Sequence, residues 1–510
     1  MPQAVTRGAV VFGPQGRLVR VEVDVSDGLP AVGVIGLPDT TVSEARQRVR
    51  CAVSSSGRKW PNRRITISLT PAEVRKNGAG LDLPIAVGVL AAGGEIPRER
   101  LDGTVFTGEL ALDGGLRSAN GALPGALAAR DAGMGRLVAP RDAGPELARL
   151  PGISIHLADR LDEVLRWLAD PEHPGLDSPA SAPVQAPVRA GLDLRDVRGH
   201  AYGRFALEVA AAGGHHLALI GAPGVGKTML AERLPGLLDD LGDEESLEVA
   251  CLSSLAGIPR PDGEYRRPPQ QSPHHSASGA AVLGAVHGSR VVPGAVTLAH
   301  RGVLILDEAP EFARPALEGL RQSLESGSVR IDRAGWSGRL PARFQLVLTA
   351  NPCPCGRRVG SGAACSCSPA EVRRYASRLS GPLMDRIDLR LNVSRPAQAE
   401  LTSSATVEPT GVVRDRVAAA RERSRHRYRG RPWSTNAELP AGELRRTWCP
   451  DDGGLALLEE LERKSANLRS PDRVLRVSWT LADLAGRDRP GRDEVAAAAG
   501  LRGATAGVFR

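Results

Sequence analysis

The stretch HHLALIGAPGVGKT, residues 215–228, joins a short apolar run to a glycine-rich segment. Residues 215–220 have β character, and residues 221–228 match the pattern G-x-x-x-x-G-K-[ST] in full. Glycines let such a backbone fold into a nest whose N–H groups, together with the start of the following helix, point at phosphates. The stretch therefore predicts a strand, a phosphate-binding loop and a helix.

The residues of this loop are predicted to bind a nucleotide. The predicted cofactor-binding set is Gly221, Ala222, Pro223, Gly224, Val225, Gly226, Lys227 and Thr228. Lys227 is expected to bind the β and γ phosphates of a nucleotide, and the Thr228 hydroxyl is expected to ligate Mg²⁺. ATP and Mg²⁺ are therefore the predicted cofactors.

Two further apolar runs end in polar residues. The run GVLILDEAP, residues 302–310, is typical of a buried parallel strand. Asp307 at its end is predicted to hold Mg²⁺ through water, and Glu308 to activate the attacking water. The run RFQLVLTAN, residues 343–351, supplies a third strand, and its final Asn351 is predicted to orient that water. Taken alone, such an asparagine is more typical of a turn.

Composition describes a globular protein of about two to four domains in 510 residues. Hydrophobic residues make up 42% and the mean hydropathy is −0.18. No apolar run of about 18 residues and no secretory signal occur, so we expect a cytoplasmic protein without membrane contact. The net charge of +8 and pI of about 9.4 favour a polyanionic partner.

The chain divides by composition into four segments. Residues 1–168 alternate Val/Ile-rich runs with alanine-rich stretches, which indicates α/β or α+β structure. Residues 169–190 are rich in Pro, Ala and Ser and read as a linker. Residues 191–395 alternate strands and helices, and residues 396–510 are mostly helical.

Six motifs follow one another along the chain: GAPGVGKT (221–228), SPHHSAS (272–278), GVLILDEAPEF (302–312), NPCPCG (351–356), LSGPLMDRIDL (379–389) and DRVLRVSWTLADL (472–484). Together they resemble the magnesium-chelatase-like AAA+ ATPases, and within them the YifB/ComM group, which is linked with DNA branch migration during natural transformation. The resemblance covers essentially the whole chain. It implies an α/β fold, with a parallel sheet covered by helices on both faces, followed by a helical lid. It assigns no role to His274 and His275.

The resemblance also assigns two arginines. Arg386, in LMDRIDL, matches the arginine finger that reaches the γ-phosphate held by a neighbouring subunit. A surface ion pair with Asp385 or Asp388 is the alternative. Arg469, in NLRSPDRVLRV, matches the lid arginine called sensor 2, with Arg473 as its rival.

The first domain resembles the Lon-protease (S5-type) α+β fold in two segments, GLPAVGVIGLPDTTVSEARQRVRCAV (28–53) and FTGELALDGGLRSANGALPGALAA (106–129). Lon-type proteases use a Ser–Lys dyad, and the matching positions, near Gly80 and Leu123, hold neither residue. Because this chemistry needs both a nucleophile and a base, a fold without peptidase activity is predicted. Lys76 and Ser118 are the remaining alternative.

Four of the seven cysteines, Cys353, Cys355, Cys365 and Cys367, form two C-x-C pairs separated by nine residues. Four thiolates can form a closed tetrahedral Zn²⁺ site, although a one-residue spacer is tighter than usual. A structural zinc ion that rigidifies the insertion leading to Arg386 is the preferred interpretation. Free thiols in a flexible loop and a disulfide or redox pair are the alternatives.

The stretch SVRIDRAGWSGRLPARF, residues 328–344, predicts a β-hairpin. It carries Arg330, Arg333, Trp336 and Arg339, and guanidinium groups bind phosphates while an indole stacks on bases. In an arginine-rich protein, an exposed hairpin without a nucleic-acid role is an equally supported alternative.

Residues and resemblance together predict an ATP-hydrolysing homohexameric ring motor acting on DNA. Helicase or branch-migration activity in competence or recombination is expected, with no small-molecule substrate beyond ATP. A magnesium-chelatase motor subunit and an ATP-gated scaffold without translocation are the alternatives. The N-terminal domain and the cysteine insertion favour the first reading, since chelatase motor subunits generally lack both.

Overall fold

The computed structural model describes residues 3–36, 40–71, 79–170, 172–179, 192–260, 264–287, 290–333, 336–359, 362–402, 407–464 and 469–503. Lys76 and the side chains of Arg333, Trp336 and Arg469 lie outside the described parts.

The N-terminal region is built on one mixed sheet of seven strands in the order β3-β4-β2-β1-β5-β8-β9. Its strands and a small separate ribbon are β1 (Gln3–Phe12), β2 (Gln15–Ser26), β3 (Ala31–Ile35), β4 (Arg64–Thr70), β5 (Thr104–Phe106), β6 (Glu109–Leu110), β7 (Leu116–Arg117), β8 (Arg136–Pro140) and β9 (Ser154–Ala158). Its helices are α1 (Thr40–Ser55), α2 (Asp82–Ala92), α3 (Ala122–Asp131), α4 (Gly144–Leu147) and α5 (Leu161–Ala169).

Helix α2 forms the centre of this region. All eleven residues of DLPIAVGVLAA are buried, as expected for a helix that is apolar on every side. The buried charge at its start, Asp82, is compensated by Arg48, whose Nε lies 2.9 Å from Asp82 Oδ2. Burial nevertheless raises the pKa of Asp82 to about 6.

The segment that follows α5 still packs against the N-terminal region. Leu157 N–H donates to the carbonyl of Asp177 at 2.7 Å, and the Asp177 carboxylate pairs with Arg141. Leu176 packs against the core of the same region. Residues 172–179, which the sequence placed in the linker, therefore lie against the N-terminal sheet.

The second region holds a five-stranded parallel sheet in the order β11-β14-β17-β10-β18. Its strands and two hairpins are β10 (Leu217–Ile220), β11 (Gln270–Gln271), β12 (Gly284–His287), β13 (Arg290–Pro293), β14 (Val303–Leu306), β15 (Ser328–Arg333), β16 (Trp336–Pro341), β17 (Gln345–Ala350) and β18 (Leu389–Asn392). Its helices are α6 (Ala201–Gly213), α7 (Lys227–Ala231), α8 (Asp243–Ala256), α9 (Gly279–Leu283), α10 (Ala295–Leu298), α11 (Arg314–Ser326), α12 (Pro369–Ala376), α13 (Gly381–Met384) and α14 (Gln398–Thr402).

The central strands of this sheet are short and apolar. Every residue of β10, β14 and β17 is buried. Two apolar cores lie on the sheet, because alternate residues of each strand belong to different clusters: Leu217 and Leu219 to one, Ala218 and Ile220 to the other. This is an α/β fold with a P-loop between β10 and α7.

The C-terminal region is helical and shares a core with the second region. Its helices are α15 (Thr410–Arg427), α16 (Ala441–Arg446), α17 (Asp452–Lys464), α18 (Arg469–Ala485) and α19 (Arg492–Gly503). Trp448 packs edge-on against Tyr428 and Trp479, with ring centroids 5.3 and 5.8 Å apart. Such edge-to-face pairs are favourable geometries and join α15 to α18.

The N-terminal region meets the second region through α3 and α8. The Gly121 N–H donates to the carbonyl of Ser254 at 3.0 Å, and the Leu123 N–H donates to the Ser254 hydroxyl at 3.3 Å. Leu123, near which the Lon resemblance would place a lysine, is buried in a core that also contains Cys251. This position therefore serves packing between the two regions.

Candidate functional site

The glycine-rich loop turns sharply between β10 and α7. Gly224 and Gly226 have φ of 73° and 94°, in the left-handed region that favours glycine. Gly226 is directly followed by Lys227, the first residue of α7. Nothing lies within 4 Å of a Cβ position built on Gly224, so the backbone there is open to a ligand. The loop thus has the geometry predicted from its sequence.

Lys227 connects this loop with the end of β17. Its Nζ donates to the carbonyls of Gly221 and Ala222, both at 2.8 Å, and to Asn351 Oδ1 at 3.0 Å. The side chain is largely buried, and burial lowers the pKa of its ammonium group. The structure therefore brings Lys227 and Asn351 together at the carboxyl edge of the sheet.

Asp307 lies beside Thr228, as a shared Mg²⁺ site requires. The Thr228 hydroxyl is 3.1 and 3.2 Å from the two carboxylate oxygens of Asp307. Thr349, which is not among the predicted site residues, also donates to Asp307 and accepts the Glu308 N–H at 3.0 Å. In the sequence, Thr349 is recognisable as a polar residue inside the apolar strand QLVLTA. Its place beside Asp307 follows from the strand register, which pairs Leu306 with Leu348.

Glu308 has a left-handed backbone with φ of 53°, which is unusual for a residue with a side chain. Such conformations cost about 1–3 kcal/mol and persist where the surroundings fix them. The Thr349 hydroxyl holds the Glu308 N–H, while the carboxylate stays half exposed. His275 Nδ1 lies 3.7 Å from Glu308 Oε2, and its ring is tilted by 34° against that of His274, with ring centroids 4.1 Å apart. The SPHH motif, which had no predicted role, therefore lies at the Glu308 carboxylate.

Arg386 lies at the opposite edge of the sheet. Strands β10 and β18 are parallel, with Leu217 beside Leu389, so Arg386 precedes the start of one strand while Lys227 follows the end of the other. Only 8% of Arg386 is exposed, and its guanidinium pairs with Glu325 of α11. Within one chain, Lys227 and Arg386 are therefore not brought together.

Arg473 lies beside Arg386 on the same edge. Its Nη1 donates to Asp388 Oδ1 at 2.5 Å and to the Arg386 carbonyl at 3.2 Å. Asp388 is also held by His215 Nδ1 at 3.2 Å, and these partners keep the pKa of this buried carboxyl well below its usual value, against the effect of burial. Arg469 is the first residue of α18, one helical turn before Arg473, and its side chain lies outside the described part of the structure.

A cavity of about 770 Å³ opens at this edge. Its lining is strongly charged and includes Arg386, Arg473, Arg301, Arg343 and Glu325. A cleft lined by charged side chains favours a polar or ionic partner.

The four cysteines of the insertion converge. Cys353 Sγ lies 3.4 Å from Cys355 Sγ and 3.7 Å from Cys365 Sγ, and the four sulfur atoms, with that of Cys367, all lie within 4.8 Å of one another. Hydrogen bonds from the backbone of Arg357 and Ser366 lower the pKa of Cys355 to about 5. This donor set fits a thiophilic metal ion such as Zn²⁺.

The predicted hairpin is formed by β15 and β16. Arg330 pairs directly with Arg339 across the two strands, so both lie on one face. The other face carries Val329, Ile331 and Leu340, which are buried in the core of the second region. The arginine face is exposed, and Arg330 contacts Asp332 at 2.8 Å.

In the described part of the chain, no helix is both long and apolar enough to cross a membrane.

Comparison with known proteins agrees with this architecture. Residues 193–401 match the family described as magnesium chelatase, subunit ChlI; residues 21–143 match a ChlI subunit family of Mg-chelatase, and residues 407–502 match the ChlI C-terminal family.

Relatives match over nearly the whole length. An uncharacterised protein of Mycobacterium tuberculosis is 47% identical over 494 residues, which are 96% of this chain and 97% of that protein. YifB of Escherichia coli is 40% identical over 95% of this chain and 94% of its own length. The competence protein ComM of Haemophilus influenzae is 38% identical over 98% of both chains. The chain therefore belongs to the magnesium-chelatase-like AAA+ family that includes YifB and ComM.

Proposed function

We propose that this protein is an ATP-hydrolysing ring motor that acts on DNA, with each nucleotide held between two copies of the chain. One observation carries the proposal: Lys227 and Arg386 lie at opposite edges of one parallel sheet. A site that needs both residues is completed when the carboxyl edge of one subunit faces the amino edge of the next. A closed ring, with six subunits as the expected number, repeats this contact.

The carboxyl edge holds the nucleotide in this account. The loop N–H groups and Lys227 bind the phosphates, and Thr228 and Asp307 hold Mg²⁺. When bound, Mg²⁺ neutralises charge on the phosphate oxygens. Glu308 takes a proton from the attacking water, and Asn351 orients that water. The half-exposed Glu308 carboxylate, directed by its unusual backbone and by Thr349, supports this role.

The amino edge supplies Arg386 to the neighbour. In the single chain its guanidinium is neutralised by Glu325, so assembly must exchange one anionic partner for another. A phosphate group is a suitable replacement, since arginine binds carboxylates and phosphates with the same planar fork. Arg473 and Asp388 hold the backbone behind Arg386 and support its position.

The hairpin β15–β16 is the proposed DNA contact. One face is anchored in the core, and the other presents Arg330 and Arg339 to solvent. The net charge of +8 favours a polyanion, and the relative from Haemophilus influenzae carries the name of a competence protein. Arg333 and Trp336, which pair at the end of the same strands, were also predicted to contact DNA, and their side chains lie outside the described part of the structure.

Replacing Arg330 and Arg339 with alanine tests the DNA contact. We expect basal ATP hydrolysis to stay within about twofold, because neither residue is near Lys227, while stimulation by DNA is lost. The slope of log affinity against log salt should fall by about one for each phosphate contact removed. The measurement is ATP hydrolysis with single-stranded, duplex and branched DNA.

The matched control removes two exposed arginines of the C-terminal region, Arg446 and Arg463, and should leave DNA stimulation unchanged. Equal hydrolysis rates of the wild-type protein with and without every DNA form, together with no binding at low salt, would contradict action on DNA. The chelatase-type and scaffold alternatives would then be favoured.

A further inference from the structure

We propose that Cys353, Cys355, Cys365 and Cys367 hold a structural Zn²⁺ ion, and that this ion fixes one wall of the nucleotide site. The inference rests on the proposed function only in assuming that the P-loop binds a nucleotide. The presence of the metal is tested by metal analysis, and its effect on the glycine-rich loop is tested by nucleotide affinity.

The sulfur positions favour a metal over the alternatives. A tetrahedral zinc–thiolate site has Zn–S bonds of about 2.3 Å, which places neighbouring sulfur atoms about 3.8 Å apart. Cys353 Sγ lies 3.4 Å from Cys355 Sγ and 3.7 Å from Cys365 Sγ, and Cys355 Sγ lies 3.7 Å from Cys365 Sγ. A disulfide requires about 2.05 Å and would join only two of the four. Three of the sulfur atoms lie close to tetrahedral separations, and all four lie within 4.8 Å of one another, an arrangement that suits a single ion.

The turn that carries the first cysteine pair packs on the P-loop. The Gly356 N–H donates to the Cys353 carbonyl at 3.0 Å, which closes the turn. Gly356 has φ of 72°, and a Cβ built on it would lie 2.4 and 2.5 Å from Cδ and Cγ of Pro223. Pro223 is the third residue of the glycine-rich loop, so the turn and the loop are in direct contact.

The same insertion begins and ends beside the site. Cys353 is buried and stands two residues after Asn351, whose side chain accepts from Lys227. Cys367 precedes α12, which begins with a capping box between Ser368 and Glu371. The buried Tyr375 of α12 is hydrogen-bonded to the backbone of Asn351. An ion that joins the two cysteine pairs therefore ties both ends of the insertion to the segment that carries Asn351.

In the described part of the insertion, the backbone hydrogen bonds Gly356 to Cys353, Val359 to Arg357, Gly362 to Val359 and Cys365 to Gly362 are all local turns. Closing a loop of this length costs conformational entropy, and such bonds offset only a small part of that cost. Metal binding supplies that free energy and keeps Gly356 against Pro223.

The metal is tested on the purified full chain. Elemental analysis of protein prepared in reducing buffer should give about one zinc ion per chain, as expected for one closed four-thiolate site. Protein loaded with Co²⁺ instead should show thiolate-to-metal charge-transfer absorption. Replacing Cys365 and Cys367 with serine should abolish both signals, whereas Cys449→Ser, at a thiol in the C-terminal region, should retain them. Wild-type protein that holds no zinc and gives no cobalt spectrum overturns the site.

The effect on the loop is tested by nucleotide binding without DNA. A fluorescent ATP analogue should bind the Cys365→Ser, Cys367→Ser variant about tenfold more weakly, which is about 1.4 kcal/mol. Gly356→Ala keeps all four thiols, so it should retain zinc while also losing nucleotide affinity. This second variant decides the matter if the cysteine variant does not fold. If a Gly356→Ala protein retains zinc and binds the nucleotide with unchanged affinity, the proposed support of the P-loop by the cysteine turn is wrong. Absent hydrolysis or absent DNA stimulation refutes the proposed function and leaves both results standing.

Discussion

Glu308→Gln is expected to lower the rate of ATP hydrolysis by about 10²–10⁴ while ATP still binds. An amide of the same size keeps the left-handed turn and its N–H bond to Thr349, but it cannot take a proton from water. Lys227, Thr228 and Asp307 remain in place to hold the nucleotide. Phosphate release measures the loss, and binding of a fluorescent ATP analogue measures the retained affinity.

The matched control is Glu311→Gln. Glu311 is an exposed carboxylate three residues further along, and it pairs with Arg378. Its loss should leave hydrolysis within about twofold, because surface ion pairs contribute little. A Glu308→Gln protein that hydrolyses ATP at the wild-type rate would remove Glu308 from the proposed chemistry.

Arg386→Ala is expected to lower ATP hydrolysis by about 10³ or more, because an arginine finger stabilises charge that develops in the transition state. Nucleotide binding by the same chain should change little, since Arg386 lies at the other edge of the sheet from Lys227. The control is Arg374→Ala, at an exposed arginine of α12. If Arg386→Ala hydrolyses ATP as fast as the wild type, Arg386 is only the ion-pair partner of Glu325.

Much of the geometry of the candidate site was predictable because it is encoded locally. The loop GAPGVGKT fixes its own backbone through glycines at φ of 73° and 94°, and the strand VLIL places Asp307 at its end. Both signals are contained in short continuous stretches. The parallel register of β14 and β17 then brings their polar ends together.

Other features depend on contacts between distant segments. Thr349 reaches Asp307 only because two strands lie in register, and His275 reaches Glu308 from a loop more than 30 residues earlier. The partner of Arg386 proved to be Glu325, on a helix that no local pattern connects with LMDRIDL. Such pairs follow from tertiary packing, which a single sequence does not reveal.

The interpretation of residues 169–190 as a linker rested on composition alone, without a motif. Pro, Ala and Ser in residues 169–190 indicate a chain without its own core, yet residues 172–179 lie on the N-terminal sheet through Leu176 and Asp177. A segment that lacks periodicity can still add backbone hydrogen bonds to an existing edge. The hairpin was predicted more directly, since alternation in SVRID separates the buried Val329 and Ile331 from the exposed Arg330.

The shared site between two subunits is tested most directly by mixing two inactive variants. Lys227→Ala subunits lack the phosphate-binding lysine but keep Arg386, and Arg386→Ala subunits have the reverse defect. In mixed assemblies, an intact site forms wherever the P-loop of an Arg386→Ala subunit faces the arginine of a Lys227→Ala subunit. Hydrolysis is expected to return on mixing, whereas mixing each variant with itself should restore nothing. Mixed assemblies that form but stay as inactive as either variant alone would contradict a site shared between two subunits.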